Sequence, residues 1–415
     1  MIDSQYIIIL ISILIIFSYL FDLFARKTKF PSVILLMVTG IVGRTVADYF
    51  GYEILYMDQL IPLMGSIGLV LIVLEGALEL EVTKKKLKII GRSFLSALTL
   101  LVAISAALTY VFTHYMDLPF ESAFLHAVAL SVISSAVAIP SASSLEEDDK
   151  EFVVYESTFS DILGIMLFNY ALDQFAHKEP LLGVAPIGFM VLKISLVILF
   201  SAIVVWLLFQ LMGRLNHKVK FFLIFAILMI VYSLGKYYHS PLLVTIFVFG
   251  IFLANTQSFF PRFVRRNLPI RKATEGLHEF HLLTAESTFL VRTFFFLLFG
   301  FLITINDFID DWNIYTTGGI IIVTMLIIRT IYFLTVERKR SKALIFFSPR
   351  GLISILLFWR LQSGEYSHFK SELINEQVLF VVIVGTMIVM MVGSVGFGKK
   401  KRPEPDYDED ELDYE

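Results

Sequence analysis

The chain reads Glu156-Ser157-Thr158-Phe159-Ser160-Asp161 and runs directly into the apolar stretch Ile162-Leu163-Gly164-Ile165-Met166-Leu167-Phe168. Together these residues are long and apolar enough to lie within a membrane helix. A carboxylate at the centre of a bilayer costs about 2.5–3.5 kcal/mol on insertion scales, so it is seldom present without a function. Asp161 therefore predicts a buried site in which a proton or a metal cation accompanies the carboxylate.

The composition indicates a membrane protein. Of the 415 residues, 57% are hydrophobic and only 17% are charged, whereas a soluble globular protein has about 25% charged residues. The mean hydropathy is +0.77. Apolar runs of about 20 residues recur along the chain, which predicts an all-α polytopic membrane protein. The chain contains no cysteine, which excludes disulfides, thiolate metal sites and cysteine nucleophiles.

The hydrophobic pattern predicts thirteen transmembrane helices, at residues 5–24, 31–48, 60–80, 93–113, 121–144, 152–174, 184–212, 219–237, 240–259, 282–305, 314–336, 343–361 and 376–397. Basic clusters such as Lys84-Lys85-Lys86 follow the odd-numbered spans, while the loops after most even-numbered spans are nearly free of Lys and Arg. The positive-inside rule then predicts that the N-terminus is outside and the C-terminus is in the cytoplasm. Residues 1–398 are interpreted as one transmembrane domain, and residues 399–415 as a short charged cytoplasmic tail.

Two of the predicted spans contain helix-breaking residues. The span at 121–144 ends in the hydroxyl-rich sequence SVISSAVAIPSASS, which includes Pro140, and the span at 343–361 contains Ser348-Pro349-Arg350-Gly351. Proline removes a backbone donor and leaves a carbonyl unpaired. Interrupted helices at corresponding places in two halves of a chain indicate the binding site of a transporter. These spans are seven apart and so cross in opposite directions, as an inverted repeat requires; the alternative is two ordinary proline kinks.

Several charged residues fall inside predicted spans. Glu156 and Asp161 point roughly 140° apart on a helix, so they need different partners. We predict that Glu156 pairs with Arg329 as a structural bridge, which leaves Asp161 able to bind a proton or a cation. The alternative is that Arg329 snorkels to the cytoplasmic face. Arg350 is expected to bind the carbonyls that the broken helix exposes.

Other charges in the spans are assigned lesser roles. Glu75 and Glu79 are interpreted as interfacial, with the inner mouth of the site as the alternative, and Arg292 as a residue that snorkels or lines a crevice. The sequence contains no Walker loop, no zinc-protease motif and no lipase elbow. We therefore predict no enzyme activity, no cofactor and no nucleic-acid partner.

The motifs resemble those of the monovalent cation:proton antiporter superfamily, the sodium/proton exchangers of bacteria and animals. Glu156-Ser-x-Phe-Ser160-Asp161 is similar to the family's glutamate-serine-x-x-asparagine-aspartate motif. Further similarities lie in Leu74-Glu75-Gly76-Ala77-Leu78-Glu79-Leu80, Phe295-Phe296-Leu297-Leu298-Phe299-Gly300 and Ser348-Pro349-Arg350-Gly351-Leu352. The resemblance implies that Asp161 carries the ion and the proton. It also implies that Glu156 and Arg329 form the family's core bridge, and that the protein is a homodimer whose core domains slide against a fixed scaffold.

The chain departs from the family's pattern at two places. Ser134-Ser135 stands where the family has threonine and aspartate, and Ser160 stands where it has asparagine. The implied cation site then consists of Asp161, the hydroxyls of Ser134, Ser135 and Ser160, backbone carbonyls and water, with Ser157 as a further candidate. Oxygen ligands still suit a hard cation.

The resemblance implies secondary active antiport of a monovalent cation, Na⁺ or K⁺, against protons in a cell membrane, specifically a bacterial inner membrane. A single carboxylate predicts one-for-one exchange, because the site carries the same charge with either occupant. Two alternatives stay open. A cation channel or uniporter would need a continuous polar path, and a non-transporting membrane sensor would carry the decayed remains of a site.

Overall fold

The computed structural model describes residues 4–28, 30–51, 57–178, 180–181, 184–214, 221–237, 243–255, 277–304, 308, 311–338, 340, 342–362 and 364–397. Throughout these residues the regular structure is helical. The predicted tail at 399–415 lies outside them. The helices are α1 Ser4–Thr28, α2 Ser32–Tyr49, α3 Met57–Glu79, α4 Leu87–Tyr115, α5 Phe120–Ser131, α6 Ser135–Ser141, α7 Glu147–Ala176, α8 Val184–Arg214, α9 Phe221–Tyr237, α10 Leu243–Ala254, α11 Leu277–Leu302, α12 Asn313–Thr335, α13 Ala343–Phe346, α14 Leu352–Gln362 and α15 Glu376–Phe397.

Each of the thirteen predicted spans has a helical counterpart, so the predicted fold class is confirmed. Among the described residues, seven helices are long and apolar enough to cross a membrane. Five shorter apolar helices accompany them. The two spans that contain proline interruptions are each divided in two, into α5 and α6 and into α13 and α14.

Local sequence explains the second division but not the first. The chain is extended at Val132 and Ser134, between α5 and α6, whereas Pro140, the proline of this span, lies inside α6. In the second broken span, α13 ends at Phe346, three residues before Pro349. A residue that precedes proline is disfavoured in the α conformation, which accounts for the non-helical backbone at this point.

The first turn of α7 carries Glu147, Asp148 and Asp149, and acidic side chains favour a helix N-terminus.

The helices pack in two groups. In the first group α2 and α3 pack against α11, and α10 packs against α3 and α8. In the second group α4 packs against α5, α7 and α12, while α15 packs against α12 and α13. The short helix α6 lies against α7. We call these the α2–α11 group and the α4–α7 group.

The two broken helices run in opposite directions and cross at their breaks. Ser122 at the start of α5 donates from Oγ to the Phe369 carbonyl beyond the end of α14, at 2.7 Å. At the breaks, the Ser134 N–H donates to the Pro349 carbonyl at 2.9 Å. The crossing therefore joins the two unwound segments directly, backbone to backbone.

The α2–α11 group depends on a close approach of two helix backbones. A methyl group at Gly300 would overlap the backbone of Met37, and a methyl group at Gly40 would overlap the Leu297 carbonyl. Both glycines lie in helix interiors, where they cost roughly 1 kcal/mol relative to alanine. The contact between α2 and α11 explains their presence.

Gly300→Ala should lower the stability of the purified protein, because the helices must separate to accommodate the methyl group. Overpacking of this kind costs about 1–3 kcal/mol. Gly319→Ala is the matched control, since an added methyl there meets no atom of another residue within 4 Å. Thermal unfolding in detergent measures both variants. Equal melting temperatures for Gly300→Ala and Gly319→Ala would contradict the close packing of α2 against α11.

Candidate functional site

The break between α5 and α6 leaves backbone donors that are paired by groups from other helices. The Ile133 N–H donates to Ser160 Oγ on α7 at 2.9 Å. The next amide, at Ser134, donates to the Pro349 carbonyl. An unpaired polar group at this depth would cost several kcal/mol, so these partners allow the chain to remain extended here.

Asp161 lies on α7 beside the break and is 2% exposed. Its Oδ2 accepts hydrogen bonds from the Ser135 hydroxyl and, at 3.3 Å, from the Ser135 N–H. Its Oδ1 is buried and has no hydrogen-bond partner among the described residues. A buried charged oxygen without a partner is costly, so the arrangement favours a proton or a cation on this carboxylate.

Arg350 connects the two breaks from the side of α14. It is fully buried, and its Nε donates to the Leu130 carbonyl at the end of α5. In an unbroken helix that carbonyl would accept from the N–H of Ser134, which instead donates to Pro349. The Arg350 Nη1 donates to the carbonyl and hydroxyl oxygens of Ser348, at 2.8 Å and 2.9 Å. Arg350 thus supplies donors to carbonyls that the two interruptions leave unpaired.

Glu156 and Arg329 form a buried ion pair one and a half turns from Asp161 along α7. Each is 1% exposed, with 2.7 Å between Nη2 and Oε2 and 3.2 Å between Nη1 and Oε1. Ser96 donates from Oγ to Glu156 Oε1 at 2.6 Å. The Arg329 guanidinium also donates to the carbonyls of Leu344 and Phe347, at 2.9 Å and 2.8 Å.

This geometry excludes the alternative in which Arg329 snorkels to the cytoplasmic face. Its guanidinium is buried, and Glu337 pairs instead with Arg92, whose Nε lies 2.9 Å from Glu337 Oε1. Glu156 and Asp161 therefore have different partners, in keeping with their directions on the helix.

The four serines predicted as ion ligands have different positions. Ser135 contacts Asp161, and Ser160 binds the backbone of the break. Ser134 Oγ faces Gly351, where an added methyl carbon would lie 2.6 Å from that oxygen. Ser157 Oγ donates to the Val153 carbonyl of its own helix at 2.7 Å, so the structure does not bring it to the carboxylate.

A cavity of about 350 Å³ reaches the site at Ser135. Four acidic residues line it: Asp22, Glu75, Glu79 and Glu286. The basic residue among its described lining residues is Arg292. We call this space the acidic cavity. The sequence leaves an interfacial position and the inner mouth of the site as alternatives for Glu75 and Glu79, and both residues line this cavity. Their spacing of four residues, which places both carboxylates on one face of α3, is the sequence signal for it.

Comparison with known proteins identifies the fold and a family. Residues 11–398 match the family model described as the transmembrane sodium/hydrogen exchanger. No curated protein sequence matches the chain. A structure of the sodium proton antiporter MjNhaP1 from Methanocaldococcus jannaschii at pH 8 is similar with a TM-score of 0.66 and 15% identity, over 95% of this chain and 99% of that one. An electron-microscopy structure of the same antiporter is similar with a TM-score of 0.60 and 17% sequence identity, over 95% of each chain.

Arg329→Met should destabilise the protein strongly, because Glu156 becomes an unpaired buried carboxylate and two carbonyls lose their donor. Breaking a buried ion pair in this way costs about 3–5 kcal/mol. The double variant Glu156→Gln/Arg329→Met should recover part of this loss. Arg44→Met is the control, since Arg44 forms an exposed pair with Asp48, and it should change little. Unfolding in detergent tests the pair, and equal stabilities of Arg329→Met and Arg44→Met would contradict its structural role.

Proposed function

The chain belongs to the sodium/hydrogen exchanger family, and on that premise we propose that it exchanges Na⁺ or K⁺ for protons at the single carboxylate of Asp161. The observation that carries this proposal is the difference in hydrogen bonding between the two carboxylate oxygens of Asp161. One of its oxygens is held by Ser135, and the other is buried with no partner in the described part of the chain. Sodium/hydrogen exchangers are transporters, so we propose no catalytic chemistry and no resident cofactor.

The electrostatics of one buried carboxylate favour one-for-one exchange. The negative charge of Asp161 is stable in this position when a single positive charge neutralises it. A proton and a monovalent cation satisfy this requirement equally, and a second positive charge would itself be uncompensated. Each transport step then carries the same net charge through the membrane, whichever ion is bound.

The ligands available beside Asp161 are oxygens, which hard cations prefer. We propose that Asp161 Oδ1 and the Ser135 hydroxyl contact the cation, together with carbonyls of the two unwound segments and water. Ser134 and Ser160 then act by shaping the unwound backbone around the ion. Ser157 is retained only as a neighbour of the site, because its hydroxyl is bound within α7.

We propose that the acidic cavity gives the cation a route to Asp161. Its four carboxylates attract cations and raise their local concentration, and Ser135, which contacts Asp161, is one of its lining residues. We propose that the cavity opens to the cytoplasm of a cell with the N-terminus outside, and that residues 1–398 form the transport domain and 399–415 a cytoplasmic tail. We further propose a homodimer in which the α4–α7 group moves against the α2–α11 group.

Asp161→Asn should abolish proton movement driven by a cation, because the amide cannot take up or release the proton. Proteoliposomes with a trapped pH-sensitive dye measure this when NaCl, KCl and LiCl are added in turn. Asp148→Asn is the matched control: it makes the same chemical change on the same helix at an exposed position. It should exchange at the wild-type rate.

Three outcomes would contradict the proposal, the first in that experiment and the other two in parallel measurements of cation uptake into the proteoliposomes and of cation binding to the purified protein. Normal exchange by Asp161→Asn would show that another group carries the proton. Cation flux through the wild-type protein without proton movement would indicate a channel. Cation binding without any flux would indicate a sensor.

Ser135→Asp should convert electroneutral exchange to electrogenic exchange, because a second carboxylate beside Asp161 can carry an additional proton. At one fixed potassium gradient, the wild-type rate should be the same with and without valinomycin, which converts that gradient into a membrane potential. The rate of Ser135→Asp should depend on it, while Ser135→Ala should remain insensitive at a reduced rate. A wild-type rate that follows the membrane potential would contradict one-for-one exchange.

A further inference from the structure

Arg292 of α11 has no assigned role in the exchange described above, although it lines the acidic cavity beside the site. Its guanidinium Nη1 donates a hydrogen bond to the Ala136 carbonyl at 2.8 Å. Ala136 directly follows Ser135, the residue that holds Asp161. A hydrogen bond from a charged donor is about twice as strong as one between neutral groups, so this contact can position the first turn of α6.

The sequence explains why the Ala136 carbonyl accepts this bond. In an α-helix the carbonyl of residue 136 would accept from the N–H of residue 140. Residue 140 is proline, which has no N–H. The α6 helix is only seven residues long, so the loss of one backbone bond removes a large share of its internal hydrogen bonds. The Arg292 side chain supplies the missing donor.

The bond also connects the two helix groups. Arg292 lies on α11, which packs against α2 and α3, whereas α6 packs against α7. Glu75 and Glu79 line the same cavity and provide the negative charge that keeps a guanidinium stable there. The hydrogen bond from Arg292 to Ala136 therefore joins the two helix groups. Its acceptor is the residue next to Ser135, which contacts Asp161.

We propose that Arg292 is a positioning residue for ion exchange: it replaces the backbone donor that Pro140 lacks and so holds Ser135 in contact with Asp161. This inference rests on the proposed function of Asp161. It assigns Arg292 no direct contact with the transported ion. It predicts instead that Arg292 and Pro140 are coupled, because a residue with an N–H at position 140 could pair with Ala136 unaided.

A double-mutant cycle tests the coupling. Arg292→Gln, Pro140→Ala and the double variant are compared with the wild type in proteoliposomes, with KM for Na⁺ and the maximal exchange rate measured separately. Arg292→Gln should lower the maximal rate about tenfold, as the loss of a charged hydrogen bond predicts. In the Pro140→Ala background the same substitution should lower it by less than about threefold. Arg292→Lys, which keeps a charged donor, should retain most of the rate.

The same four proteins are also compared by their thermal unfolding temperatures after purification, a measurement that does not require transport. There Arg292→Gln should destabilise the wild type more than it destabilises Pro140→Ala. Equal effects of Arg292→Gln in both backgrounds would overturn the inference, and so would a change confined to KM, which would make Arg292 only a charge in the cavity. Absence of proton movement with both Na⁺ and K⁺ in the wild type would instead contradict the proposed function, while the unfolding cycle would still decide the coupling.

Discussion

The crossing of the two interrupted helices depends on hydrogen bonds to backbone groups that the interruptions leave unpaired. The hydrocarbon core of a membrane supplies no such bonds, so side chains of the protein have to provide most of them. Three arginines do so: Arg350 binds the Leu130 carbonyl, Arg329 binds those of Leu344 and Phe347, and Arg292 binds that of Ala136. Each accepting carbonyl belongs to a segment that a proline or an unwound turn interrupts. Without these donors, a continuous helix would have a lower free energy than the interrupted one.

The unwound backbone in turn creates the conditions that Asp161 requires. A continuous α5–α6 helix would use its amides internally and would leave no N–H for the carboxylate. Because the helix restarts at Ser135, the N–H and hydroxyl of that residue both point to Asp161. The carboxylate is therefore held at one oxygen in a buried position, and its second oxygen is available to a small cation or a proton. The Glu156–Arg329 pair neutralises the neighbouring charge, so that in the proposed mechanism Glu156 does not compete with Asp161 for the cation.

Much of this arrangement could be predicted from the sequence because the relevant signals are local. Runs of apolar residues identify the spans, and Pro349 identifies the second break. The first break lies at residues 132–134, whereas Pro140 is inside α6, so the proline indicated the correct span but not the position of its break. The five-residue separation of Glu156 and Asp161 is sufficient to predict different partners. The contribution of each serine could not be predicted, because a serine hydroxyl in a helix can donate to the carbonyl of the residue four positions earlier in the same helix. Ser157 does so. The acidic cavity and the bond from Arg292 depend on how α3 and α11 rotate against α6, which no local pattern specifies.

Competition between a proton and a cation for one carboxylate can be measured without transport. Isothermal titration of NaCl or KCl into the purified protein, in two buffers of different ionisation enthalpy, counts the protons released for each cation bound. The account predicts one proton for each cation at a pH where Asp161 is protonated. Cation binding with the same heat in both buffers, and hence with no proton released, would contradict it.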